Sequence, residues 1–115
     1  MDLYYKSTRN SNLKVTASEA ILKGLAPDGG LFVPEKLPVL GKSMEELKDL
    51  NYQDTAYEVM KCFLTDFTEE ELRNCIEKAY DSKFDDEAIA PLVKVEDTYY
   101  LELFHGATIA FKDMA

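Results

Sequence analysis

The chain has no tryptophan, a single histidine and two cysteines, and these scarcities remove several classes of function. A zinc site would have to draw on His105, Cys62 and Cys75, and those positions match no usual ligand spacing, so no metal is expected. Both cysteines fall on the apolar sides of predicted helices and read as reduced core residues, where a free thiol behaves as a small hydrophobe. Nothing marks a nucleophile elbow, although the members of a catalytic triad meet only in space. Positive charge is also scarce: 13 Lys and Arg stand against 22 Asp and Glu, a formal net charge of -9. Nucleic-acid binding draws most of its free energy from clustered Lys and Arg, and with no such cluster a nucleic-acid partner is not expected. The same balance disfavours an anionic membrane surface. No apolar run approaches the roughly 20 residues needed to span a bilayer. The start, Met1-Asp2-Leu3-Tyr4-Tyr5-Lys6, lacks the basic and then apolar regions of a secretory signal, so a cytoplasmic address is expected.

What remains is ordinary globular composition. At 115 residues, 46% hydrophobic and 30% charged, the chain is long enough for one core and too short for two. Thr16-Ala17-Ser18-Glu19 fits the capping box, in which the threonine hydroxyl and the glutamate satisfy each other's backbone N–H groups, and predicts a short helix ending at Gly24. Ser43-Met44-Glu45-Glu46 opens a second helix, one to two turns long, that should bury Leu47 and Leu50. A third follows Asn51, where Ala56, Val59, Met60, Phe63, Leu64 and Phe67 recur at helical spacing. Thr68 caps a fourth, with Leu72, Cys75, Ile76, Ala79 and Tyr80 as its stripe.

Strand signals are shorter. Pro27-Asp28-Gly29-Gly30 reads as a tight turn before a strand at Leu31-Phe32-Val33. From Leu92 the period becomes two, and a Glu96-Asp97 turn joins two strands rich in β-branched and aromatic residues into a hairpin. An early strand over residues 4–8 could pair with that hairpin. The fold class expected is α+β, a small mainly antiparallel sheet with about four helices packed on it. The acidic pairs Glu45-Glu46, Glu69-Glu70-Glu71 and Asp85-Asp86 read as solvent-facing, the first two suiting the positive end of a helix dipole. Gly29-Gly30 leads into a strand and not a helix, which favours a turn over a phosphate cradle.

The last residues carry more than periodicity explains. On pattern alone Lys112 is a solvated surface charge. Yet Glu102-Leu103-Phe104-His105-Gly106-Ala107-Thr108-Ile109-Ala110-Phe111-Lys112-Asp113 is similar to the segment that carries the cofactor lysine of microbial and fungal threonine synthases. Tyr5-Lys6-Ser7-Thr8-Arg9 and the stretch from Glu19 through Pro27-Asp28-Gly29-Gly30-Leu31-Phe32-Val33-Pro34-Glu35 resemble the start of the same enzymes, in family order and at family spacing. Two positions depart from the family pattern: Asn10 replaces a glycine, and Ala107 replaces a proline, which should loosen the loop before Lys112.

The resemblance implies the N-terminal part of a fold-type-II pyridoxal phosphate enzyme that converts O-phospho-L-homoserine and water into L-threonine and phosphate. It implies that Lys112 is the catalytic and cofactor-binding residue, because a primary amine can join the cofactor covalently and then move protons. It divides the chain into a small domain, 1–104, and the start of the catalytic domain, 105–115, with the missing catalytic domain as partner. No glycine-rich loop stands at a helix start to hold the cofactor phosphate. Lys112, three residues from the end, should lack the burial or positive neighbours that lower an amine below its free value of about 10.4. The chain by itself is therefore expected to be inactive and not to hold pyridoxal phosphate. Arg9, with Ser7 and Thr8, could bind substrate phosphate through a bidentate guanidinium, or these residues could end a strand and pair with an acidic neighbour. Ile109, Phe111 and Met114 should pack on the absent domain, leaving Phe111 and Lys112 exposed. The rival from another class is a free-standing binding module without catalysis.

Overall fold

The computed structural model describes residues 2–115; Met1, the first residue of the expected small domain, lies outside them. In chain order the elements are β1 (Tyr5–Ser7), α1 (Ala17–Lys23), β2 (Phe32–Pro34), α2 (Met44–Leu47), α3 (Tyr52–Phe63), α4 (Glu69–Ala79), β3 (Leu92–Val95), β4 (Thr98–Leu101) and a 3-10 turn over Phe111–Met114. The α+β class and the four helices stand as read from the sequence. Three capping boxes close: Thr16 with Glu19, Ser43 with Glu46 and Thr68 with Glu71. In each, the glutamate carboxylate accepts from the cap N–H at 2.8 to 2.9 Å. Asn51 caps α3 by accepting from the Asp54 N–H at 2.8 Å.

The single sheet expected is instead two separate ribbons. β1 pairs antiparallel with β2, Tyr5 opposite Pro34 and Ser7 opposite Phe32, while among the described residues β3 pairs only with β4. The cause lies in the turn before β2. Asp28 accepts the Ser7 hydroxyl at 2.7 Å and the Leu31 N–H donates to Thr8 Oγ1 at 3.0 Å, so the end of β1 is fastened to that turn and cannot reach the hairpin. In the hairpin, Glu96 adopts φ 54° in the two-residue turn, and all eight strand residues are exposed.

The main core lies between α3 and α4. Ile76, Tyr80, Phe84 and Ile89 are buried there, with Tyr52, Ala56, Tyr57, Met60 and Met114 packed around them. Tyr80 meets the Tyr52 ring edge-on, centroids 4.9 Å apart, a geometry favoured by the aromatic quadrupole. Leu3, Val15, Ala17, Ala20 and Ala26 are also buried, and Val15 bridges Tyr5 of β1. Leu47 and Leu50 are half-buried. Cys62 is half-buried, but Cys75 is exposed and is no core residue. The buried stripe of α4 runs Leu72, Ile76, Tyr80, and each residue turns a helix by about 100°, so Cys75 and Ala79 rotate off it. Among the described residues, no helix is long and apolar enough to cross a membrane.

Candidate functional site

Two clusters contain the residues singled out from sequence. The first gathers Ser7, Thr8 and Arg9 against Asp28 and Gly30. Ser7 is only 2% exposed; its hydroxyl donates to Asp28 and accepts the Arg9 N–H at 3.1 Å. Asp28 also accepts from the Gly30 N–H at 2.9 Å, and the Ser7 bond is the main reason its carboxyl lies below the usual carboxylate range. A side chain at Gly30 would have its Cβ 2.2 Å from Ser7 Oγ, so only glycine fits. The hydroxyls of Ser7 and Thr8 are thus used to hold the turn. Arg9 is exposed and donates through Nη1 to the Asp28 carbonyl at 3.0 Å. Asn10 does not adopt a positive φ, so the backbone there does not require the glycine of the family pattern.

The second cluster is the segment ending in Lys112. His105 sits between two carboxylates: its Nδ1 contacts Asp85, and its Nε2 lies 2.9 Å from Glu102 Oε1. Glu102 first, and then Asp85, hold the imidazole pKa above its ordinary value. The Asp85 N–H also donates to the His105 carbonyl at 3.0 Å, so Asp85 ties the linker to the tail while its side chain stays solvent-facing, as expected. The sequence offered no pattern for this trio, since Asp85 and His105 are distant along the chain.

Beyond His105, Gly106 is buried and Asp113 accepts from the N–H and hydroxyl of Thr108, at 2.9 and 2.7 Å. The loop that Ala107 was expected to loosen is therefore closed by another route. Phe111 and Ile109 are 75% and 76% exposed, and Lys112 is exposed, as expected for the tail. Met114 departs from that expectation: it packs on the core, and its carbonyl accepts from the Tyr80 hydroxyl at 2.7 Å. The Lys112 amine makes no hydrogen bond or ion pair among the described residues. No hydrogen bond or ion pair joins the two clusters among those residues.

A carbonyl cofactor bearing a phosphate needs an amine and an anion cradle. Lys112 supplies an accessible amine. Four of the five glycines are already engaged: Gly24 and Gly29 donate to the backbone carbonyls of Ala20 and Ala26, Gly30 donates to Asp28, and Gly106 lies beneath Asp113.

Residues 4–80 match the family model described as threonine synthase N terminus. The threonine synthase of Eremothecium gossypii is 42% identical over 125 residues, covering 100% of this chain and 24% of the relative. The crystal structure of threonine synthase from yeast superposes with a TM-score of 0.86 at 35% identity, over 96% of this chain and 23% of that one. The crystal structure of PLP-bound threonine synthase from Brucella melitensis gives 0.84 at 34% identity, over 96% and 24%. The chain thus spans about a quarter of the length of the relatives it matches.

Proposed function

The chain belongs to the threonine synthase family, and from that premise we propose that it forms the N-terminal quarter of a cytoplasmic enzyme converting O-phospho-L-homoserine and water into L-threonine and phosphate. The observation that carries this reading is the match to a threonine synthase over the whole chain.

In this reading pyridoxal phosphate, when bound, supplies the electron sink that stabilises negative charge at the substrate Cα. Lys112 would hold the cofactor, and its amine would hold and move a proton at the substrate carbons. Its exposed place on the 3-10 turn leaves it open to a domain that would bury it. Arg9 holds the substrate phosphate through its exposed guanidinium, while Ser7 and Thr8 position it by fixing the turn that carries Asp28. The small domain is residues 1–104 and the catalytic domain begins at 105. The phosphate cradle belongs to that larger part, so the 115-residue chain neither catalyses nor retains the cofactor.

Phosphate release from O-phospho-L-homoserine by the full-length chain tests the reading. Lys112→Ala should abolish release, and Arg9→Lys should raise KM for the substrate. Release at the unaltered rate by the Lys112→Ala protein would contradict it. For the chain of 115 residues alone, borohydride trapping with pyridoxal phosphate should label Lys112 no more than other lysines.

A further inference from the structure

The residues from Gly106 to Met114 form a small closed loop whose parts depend on one another. Asp113 Oδ2 accepts from both the N–H and the hydroxyl of Thr108, bridging five residues of sequence. The Asp113 side chain lies directly on Gly106: a Cβ added there would be 2.5 Å from Asp113 Cβ and 2.6 Å from Oδ2. Inside the bridge, Ile109 adopts φ 58°. A β-branched residue in the left-handed region is a true outlier, and it persists only when its surroundings over-determine it. Here the Ile109 N–H donates to the Gly106 carbonyl at 3.1 Å, and the Asp113 N–H donates to Ala110 at 3.2 Å. The side chains of Ile109 and Phe111 are exposed, so hydrophobic burial does not account for the strained turn. The group presented by this turn is the Lys112 amine, immediately before Asp113.

We propose that Asp113 is a positioning residue for Lys112: its bridge to Thr108, seated on Gly106, holds the 3-10 turn in the geometry the amine needs before cofactor or substrate arrives. The inference rests on the reading of Lys112 as the cofactor lysine. Strained backbone at a reacting group is a form of preorganisation, and a misplacement on the scale of one ångström costs about a hundredfold in rate. The bond from the Thr108 hydroxyl keeps the Asp113 carboxyl below the usual carboxylate range, so the bridge is made by a charged acceptor and persists through neutral pH.

Hydrogen exchange on the 115-residue chain tests the bridge without cofactor. The amides of Thr108 and Asp113 should be protected, and Asp113→Ala should lower that protection about tenfold, the loss of one charge-assisted bond. Asp113→Asn, which keeps an acceptor oxygen, should restore most of it; Thr108→Val and Gly106→Ala should each reproduce the loss. Unchanged exchange of the α3 and α4 amides shows that the fold is intact. In the full-length enzyme, Asp113→Ala should lower kcat about a hundredfold with KM for the substrate unchanged, again with rescue by Asn. Unaltered Thr108 exchange in Asp113→Ala would overturn the bridge. Lost exchange protection with unaltered kcat would overturn the positioning role. Turnover that survives Lys112→Ala would overturn the family reading instead, and the exchange result would tell that failure from the other two.

Discussion

The phenol of Tyr80 donates to the carbonyl of Met114 at 2.7 Å, and this bond fastens the turn that carries Lys112 to the C-terminal end of α4. Tyr80 is buried in the core cluster, and Met114 packs on the same cluster. The reacting segment is therefore referenced to the helical core, although its own apolar side chains Ile109 and Phe111 are exposed.

Tyr80→Phe keeps the ring and its packing with Tyr52 and Phe84 and removes the hydroxyl, with its bond to Met114 and its polar contact with Tyr52. It should cost about 1 kcal/mol in urea unfolding and raise amide exchange over residues 111–115. Tyr80→Ala, which leaves a cavity, should cost about 3–5 kcal/mol. No measurable cost in Tyr80→Phe would mean that the bond to Met114 contributes nothing.

Lys112→Ala should change the stability of the chain by under about 0.5 kcal/mol, as at other exposed sites. Ile76→Ala, by contrast, removes a side chain from the centre of the core and should cost about 2–5 kcal/mol. Paired thermal melts check the contrast. A large loss in Lys112→Ala would give the lysine a structural role.

His105 predicts a dependence on pH. A neutral imidazole has one N–H to donate, so only the protonated ring can serve both Glu102 and Asp85. Its pKa is raised in the folded chain; its contribution is thus complete below the unfolded value of about 6.5 and is lost as pH rises through the folded value. Melting temperatures recorded from acid to mildly alkaline pH should fall for the native chain relative to His105→Gln. Asp28 and Asp113, whose carboxyls are depressed, act in the opposite direction. Their contribution is present above about 3.9 and is lost as pH falls through their folded values.

Gly30→Ala should destabilise the chain by about 1–3 kcal/mol, as overpacking does, because the new Cβ would meet Ser7 Oγ at 2.2 Å. Adding Ser7→Ala should relieve the clash, so the double variant should lose less than the sum of the singles. Strict additivity in a double-mutant cycle would place the strain elsewhere.

Local signals were readable in the sequence wherever one short stretch decided the outcome. The capping pairs Thr16 with Glu19, Ser43 with Glu46 and Thr68 with Glu71 all close, and the Glu96-Asp97 turn makes its hairpin. Pairing between distant elements was not readable. β1 chooses β2 over the hairpin because Ser7 and Thr8 bind the turn at Asp28 and Leu31, a choice made by hydroxyl groups that leave no periodic trace. Cys75 was misplaced because helical spacing of three or four admits two neighbouring faces, and packing against α3 selects the one through Leu72 and Ile76. Of the site, the sequence marked Lys112 through its resemblance to a family, but not the contacts of Asp113, His105 and Tyr80 that hold its segment in place.

Peptide mapping of the protein purified from its source, after borohydride reduction in the presence of its own cofactor, tests the central claim most directly. The account predicts a polypeptide about four times the length of this chain, with the reduced pyridoxyl group on Lys112. A native product of 115 residues without the group, or a label on a different lysine, would contradict it.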